Sequence, residues 1–134
     1  MNVLRSLGQA ALGAVLVTAG TGHLTTQREE FQAQVPSWSP VDPDRVVVAS
    51  GFVELALGAA LLATWKQPAR RRLGMLAAGF FVGVFPGNIA QFAERRDGFG
   101  LDTDTKRALR LLGQPALVAW ALAATRAEKP PRAQ

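Results

Sequence analysis

The chain of 134 residues has no cysteine, no tyrosine and a single histidine, His23. Disulfides, thiolate metal sites and an in-chain dithiol relay are therefore excluded. One imidazole without thiolates also speaks against a metal or haem site. No nucleotide-binding glycine loop, Ser/His/Asp set or HExxH motif is present. Charge is missing too, but only locally. Four blocks, Ser6–Thr25, Val46–Trp65, Leu73–Phe92 and Ala108–Thr125, hold just two formal charges, Glu54 and Arg110.

Each block is about 18 to 20 residues, so as a helix each covers roughly 30 Å, the thickness of a hydrocarbon core. A mean hydropathy of +0.12 conceals this segregation. A soluble four-helix bundle would carry a charged face on every helix, and these blocks have none. The expected fold is an all-α membrane protein, a left-handed up-down bundle of four transmembrane helices forming one domain over 1–134, with a disordered tail at 127–134. The first block runs on to Leu24, so it reads as a span rather than a signal peptide.

What is there, outside the blocks, is basic. Net charge is +5 with an isoelectric point near 11.1. The N-terminus, the segment Lys66–Arg72 and the tail carry Arg5, Lys66, Arg70, Arg71, Arg72, Arg126, Lys129 and Arg132 against one acid, Glu128. The other two loops carry six basic residues against eight acids. The positive-inside rule assigns both termini and the Arg-rich loop to the cytoplasm. The Arg cluster has no interleaved aromatics, so no nucleic-acid partner is expected.

Between the first two spans, Thr26-x-x-Glu29 has the spacing of a capping box opening a short amphipathic helix to about Gln34. Pro36, Pro40 and Pro43 around Trp38 then form a segment suited to the headgroup level. Gly79, Gly83 and Gly87 make a small-residue stripe that invites a neighbouring helix. Pro86 and Pro115 remove the i+4 donors of the Val82 and Leu111 carbonyls.

Polar residues recur at one depth. Counting ~1.5 Å per residue from the outer helix ends places Glu54 roughly 12 Å deep, Gln114 roughly 9 Å, Asn88 roughly 6 Å and His23 ~3 Å, with Gln91 and Arg110 near the same rim. Ser50, Gly51, Glu54 and Gly58 share a helix face, as do Asn88 and Gln91, and Arg110 and Gln114. Intramembrane ionisable groups are costly and commonly functional. Interhelical hydrogen bonding is the competing explanation. The inner half offers only Gln9, Thr64 and Thr125. Glu54 is expected to pair with Arg110 or His23, and His23, Glu54, Asn88, Gln91, Arg110 and Gln114 form the candidate ligand-binding or polar network. No metal is expected.

AGTGHL (Ala19–Leu24), VPSWSP (Val35–Pro40), SGFVELALG (Ser50–Gly58), FPGNIAQ (Phe85–Gln91) and RLLGQP (Arg110–Pro115), each on its own span, together resemble the DoxX-like family of small four-helix bacterial membrane proteins. The resemblance covers about residues 3–125, although Leu24 stands where that pattern often has phenylalanine. It implies a site built from His23, Glu54, Asn88, Arg110 and Gln114, and a place in a bacterial plasma membrane. It does not decide whether the chain is an enzyme. Named relatives include membrane partners in redox and oxidative-stress complexes and a distant receptor-assembly chaperone. Without cysteine, covalent sulfur transfer does not carry over. The expectation is an outer-leaflet polar pocket for a small amphipathic molecule, with a quinone the candidate, or for a partner subunit. The alternatives are a subunit of an oxidoreductase or oxidative-stress complex and a membrane-protein assembly helper. A homo-oligomer is left open.

Overall fold

A computed structural model describes residues 2–98, 100–130 and 132–133. The described residues contain helices and no strand: α1 (Val3–Leu24), α2 (Arg28–Phe31), a 3-10 turn (Gln32–Gln34), α3 (Pro43–Ala63), α4 (Ala69–Ala93) and α5 (Asp104–Thr125). Helices α1, α3, α4 and α5 are each long and apolar enough to cross a membrane. The chain is therefore a multi-pass membrane protein of the all-α class. Phe52, Leu62, Met75, Leu76, Val82, Ile89 and Leu112 stand exposed along these helices, an exterior suited to lipid and a liability in water.

Three of the long helices start before the apolar blocks because polar residues cap them. Asn2, Asp42 and Thr103 each accept backbone N–H bonds from the first turn of α1, α3 and α5, and Pro43 occupies the first turn of α3. The capping box at Thr26 does not form: α2 starts after Gln27 with no side-chain cap and gives way to the 3-10 turn after one turn. The Arg-rich segment is not all loop either, since Arg70, Arg71 and Arg72 lie in the first turn of α4. Of the tail, Ala127–Pro130, Arg132 and Ala133 carry no helix, and Pro131 and Gln134 lie outside the described residues.

The core packs Leu12, Leu16, Leu61, Ala77, Ala78, Phe81 and Ala121 from all four spans. Helix α1 lies between α3 and α5, and α4 packs on α5, while α3 and α4 touch only sparsely. An Arg5 Nη1 bond to the Arg126 carbonyl places the two chain ends at one end of the bundle. The α2 segment and the loop residues 94–98 and 100–103 lie at the other.

The tightest seam joins α1 to α3. A Cβ on Gly58 would sit 2.8 Å from the Gly13 carbonyl oxygen and 2.8 Å from Val17 N, and one on Gly20 would sit 2.7 Å from the Gly51 carbonyl oxygen. Two glycines seven residues apart on each antiparallel helix thus interlock backbone against backbone, which only glycine permits. The stripe on α4 behaves otherwise: a Cβ on Gly79 or Gly83 meets nothing within 4 Å, and only Gly87 is closely covered, by the Gln34 carbonyl. Gly58→Val should therefore lower stability by at least about 1 kcal/mol through overpacking, whereas Gly79→Ala should leave it unchanged or slightly raised. Thermal unfolding of the purified protein in detergent measures both; equal effects at the two sites would contradict the seam.

Candidate functional site

The α1–α3 seam brings the two ionisable groups of those helices together. Gly51 lies against His23, so close that a Cβ there would be 2.8 Å from the His23 Cβ. Glu54, one turn further along α3, then meets the imidazole. His23 Nδ1 is 2.8 Å from Glu54 Oε2 and also 2.8 Å from the Ala19 carbonyl oxygen. One N–H cannot align with both. It donates to the Ala19 carbonyl, and Glu54 Oε2 stays buried beside the ring without an in-line donor. Phe31 stacks on the imidazole at 3.4 Å between ring centroids, with the planes 15° apart. Of the two partners expected for Glu54, the structure selects His23.

The facing wall comes from α4 and α5. Gln114 Nε2 donates to the Phe81 carbonyl at 2.7 Å, one residue before the Val82 carbonyl that Pro86 deprives of its donor. Gln114 Oε1 accepts from Arg110 Nη1 at 3.1 Å and from Asn88 Nδ2 at 3.4 Å. Asn88 Oδ1 is buried with no hydrogen-bond partner among the described residues. Arg110 makes no ion pair among the described residues, and its other guanidinium N–H groups have no protein acceptor among them.

Between these walls lies a cavity of about 640 Å³. His23, Glu54, Asn88, Arg110 and Gln114 all line it, set among Leu16, Val47, Phe81, Val84 and Leu117. Among the described residues no hydrogen bond crosses from the His23–Glu54 wall to the Asn88–Gln114–Arg110 wall. The five side chains form a divided shell around a space, not a closed knot.

Gln91 does not belong to this shell. It is buried at the rim, accepting from Gln34 Nε2 at 3.2 Å and donating to the Arg96 carbonyl at 3.2 Å. Its place is among the groups that fasten the segment 27–39 over the cavity. On the α3 side Arg28 pairs with Asp44 through two bonds, the Nε one 2.7 Å long. On the α4 side Arg96 Nη1 donates to the Val35 carbonyl at 2.6 Å. The Ser37 hydroxyl and N–H both donate to Glu94, holding its carboxyl below the usual carboxylate range. That contribution is present at neutral pH and is lost as pH falls through the lowered value. The roof is tied on both sides, α3 and α4 touch only sparsely, and exposed Gly83 of α4 lies in the cavity lining.

A second polar cluster, at the end carrying the termini, went unread in the sequence. Arg70 is only 5% exposed; its Nε donates to Gln9 Oε1 at 2.5 Å and its Nη2 to the Ala124 carbonyl at 2.8 Å. Gln9 Nε2 donates to the Leu61 and Thr64 carbonyls, both at 2.8 Å. All four spans are joined there, and none of its buried side-chain atoms lacks a partner among the described residues. Polar groups are thus not confined to one half of the bundle. The available signal was Gln9, the amide on the face of α1 that also carries Leu12, Gly13, Leu16 and Gly20. The stacking of Phe31 on His23 had no comparable signal, since a four-residue helix sets it.

The chain belongs to the family described as "Domain of unknown function (DUF8561)", which matches residues 12–125. No curated protein and no solved structure matches it.

The site geometry predicts a specific coupling. In a double-mutant cycle, Glu54→Gln and His23→Leu should couple by at least about 0.5 kcal/mol, while Glu54→Gln and Arg110→Leu should add within about 0.5 kcal/mol. Denaturant unfolding in detergent reads both, and coupling of Glu54 to Arg110 instead would contradict the assignment.

Proposed function

We propose that this chain is a membrane component that binds a small amphipathic molecule in the cavity between His23–Glu54 and Asn88–Gln114–Arg110. One contrast carries the reading. The Gln9–Arg70 cluster satisfies its own buried side-chain groups, as a structural tie in hydrocarbon must, whereas among the described residues Asn88 Oδ1 and Glu54 Oε2 are buried without a hydrogen bond, Glu54 Oε2 having only the His23 ring beside it at 2.8 Å. Unsatisfied buried polar atoms are rare in folded proteins and call for an explanation, and a ligand supplies it here. An apolar lining with a few convergent polar groups and a volume of this size is the usual form of a small-molecule site.

The five DoxX-like motifs support the same assignment, and with it a bacterial plasma membrane and a quinone as ligand candidate. A second reading, a subunit of a membrane redox complex, draws on the His23–Glu54 pair, which could exchange a proton with a ligand in the cavity.

The ligand reading is tested with an alkyl hydroquinone as probe. It should raise the thermal midpoint of the purified protein saturably, as a ligand of the folded state does. Gly83→Leu should abolish the shift while leaving the unliganded midpoint near wild type, because the added side chain occupies open space in the lining. No saturable shift, or one indifferent to Gly83→Leu, would reject the site.

Orientation belongs to the same proposal: the roof faces outward and the Arg70–Arg72 end faces the cytoplasm, from the distribution of basic residues. The chain's lack of cysteine makes the check direct. An impermeant thiol reagent should label Ser39→Cys in intact cells and leave Gln67→Cys unlabelled; the reverse pattern would invert the topology.

A further inference from the structure

We propose that the head group held in this cavity is a neutral hydrogen-bond donor, a hydroxyl on an apolar ring or chain. The inference rests on the ligand reading above and specifies its chemistry. It follows from what the protein leaves unused. The Gln114 oxygen is spent, accepting from Arg110 and Asn88, and one N–H of its amide donates to the Phe81 carbonyl. One N–H of the Asn88 amide donates to Gln114. The Nδ1–H of His23 is spent on the Ala19 carbonyl. Buried without a hydrogen bond among the described residues are two acceptors on residues that line the cavity, Glu54 Oε2 and Asn88 Oδ1, while the donors left over are the rest of the Arg110 guanidinium and the second N–H of each amide. The third unpartnered buried atom, Arg107 Nε, belongs to the loop-end residue Arg107, which is outside the lining.

Each class of head group meets this inventory differently. A ketone or ester offers only acceptors, so it bonds Arg110 and leaves both protein acceptors unsatisfied. A carboxylate or phosphate does the same and also brings its charge towards Glu54. An ammonium suits Glu54 but is repelled by Arg110. A hydroxyl gives its proton to Glu54 or Asn88 and presents lone pairs to Arg110. A second hydroxyl on the same skeleton would satisfy the other acceptor. The apolar remainder fits against Leu16, Val47, Phe81 and Leu117, and leaves by Gly83 into the bilayer.

Three probes of one skeleton separate the cases: a decylhydroquinone, its dimethyl ether and the matching benzoquinone, titrated calorimetrically into wild-type protein in lipid nanodiscs. The hydroquinone should bind at least roughly tenfold tighter than either of the others, the worth of about one hydrogen bond to an otherwise unsatisfied acceptor. Glu54→Gln and Asn88→Leu should each shrink that preference. Because the comparison among probes is made on wild-type protein, it stands even if either variant fails to fold. Equal binding of hydroquinone and ether, both lost in Gly83→Leu, would overturn the donor assignment and leave the pocket standing. Tighter binding of the benzoquinone would overturn it as well. Failure of all three probes to bind saturably would overturn both the assignment and the ligand reading beneath it.

Discussion

The backbone contact of α1 with α3 at Gly13/Gly58 and Gly20/Gly51 governs the rest of the structure. It lets the two helices approach within the width of a missing methyl group, and at its roof end it fixes His23 against Glu54 at 2.8 Å. Close packing on one side of the bundle is matched by looseness on another. Helix α3 is drawn to α1 and α4 to α5, so the α3–α4 junction is sparse and the cavity lies next to it.

Hydrocarbon imposes the second constraint, because lipid offers no water to a buried polar group. At the end carrying the termini, Arg70 and Gln9 meet it with backbone carbonyls from α3 and α5. This arrangement holds the Arg70 cation with an amide and a backbone carbonyl, and it explains an arginine in the first turn of α4, where the helix dipole disfavours positive charge. At the other end, among the described residues, the same constraint is left unmet by two oxygen atoms of cavity-lining residues and by Arg107 Nε outside the lining. On the proposed reading, the difference between the two clusters separates a tie from a site, and depth alone does not.

Much of this was legible in the sequence. The four spans follow from apolar blocks of membrane-spanning length that hold only two charges, and His23, Glu54, Asn88, Arg110 and Gln114 follow from depth and helical phase; the structure gathers all five around one space. Gln91 shared the depth and the phase of Asn88, yet its side chain turns to Gln34 and Arg96, because the fold of the roof decides where a rim amide finds partners. The glycine pattern was misjudged for a related reason. A regular i, i+4, i+8 stripe on α4 is conspicuous, while the seven-residue pairs on α1 and α3 acquire meaning only when the helices are set antiparallel. Arg70 was hidden in a run of three arginines that differ only in which of them points inward.

The central claim is that the roof-end polar groups surround a ligand site, whereas the Gln9–Arg70 cluster is a structural tie. The most direct test is an experimental structure determined in native lipid without added ligand. The account predicts elongated non-protein density in the cavity, with its polar end within hydrogen-bonding distance of Glu54 and Asn88 and its tail passing Gly83. A collapsed cavity, with Glu54 bonded to Asn88 or Arg110 and no acceptor left over, would contradict it.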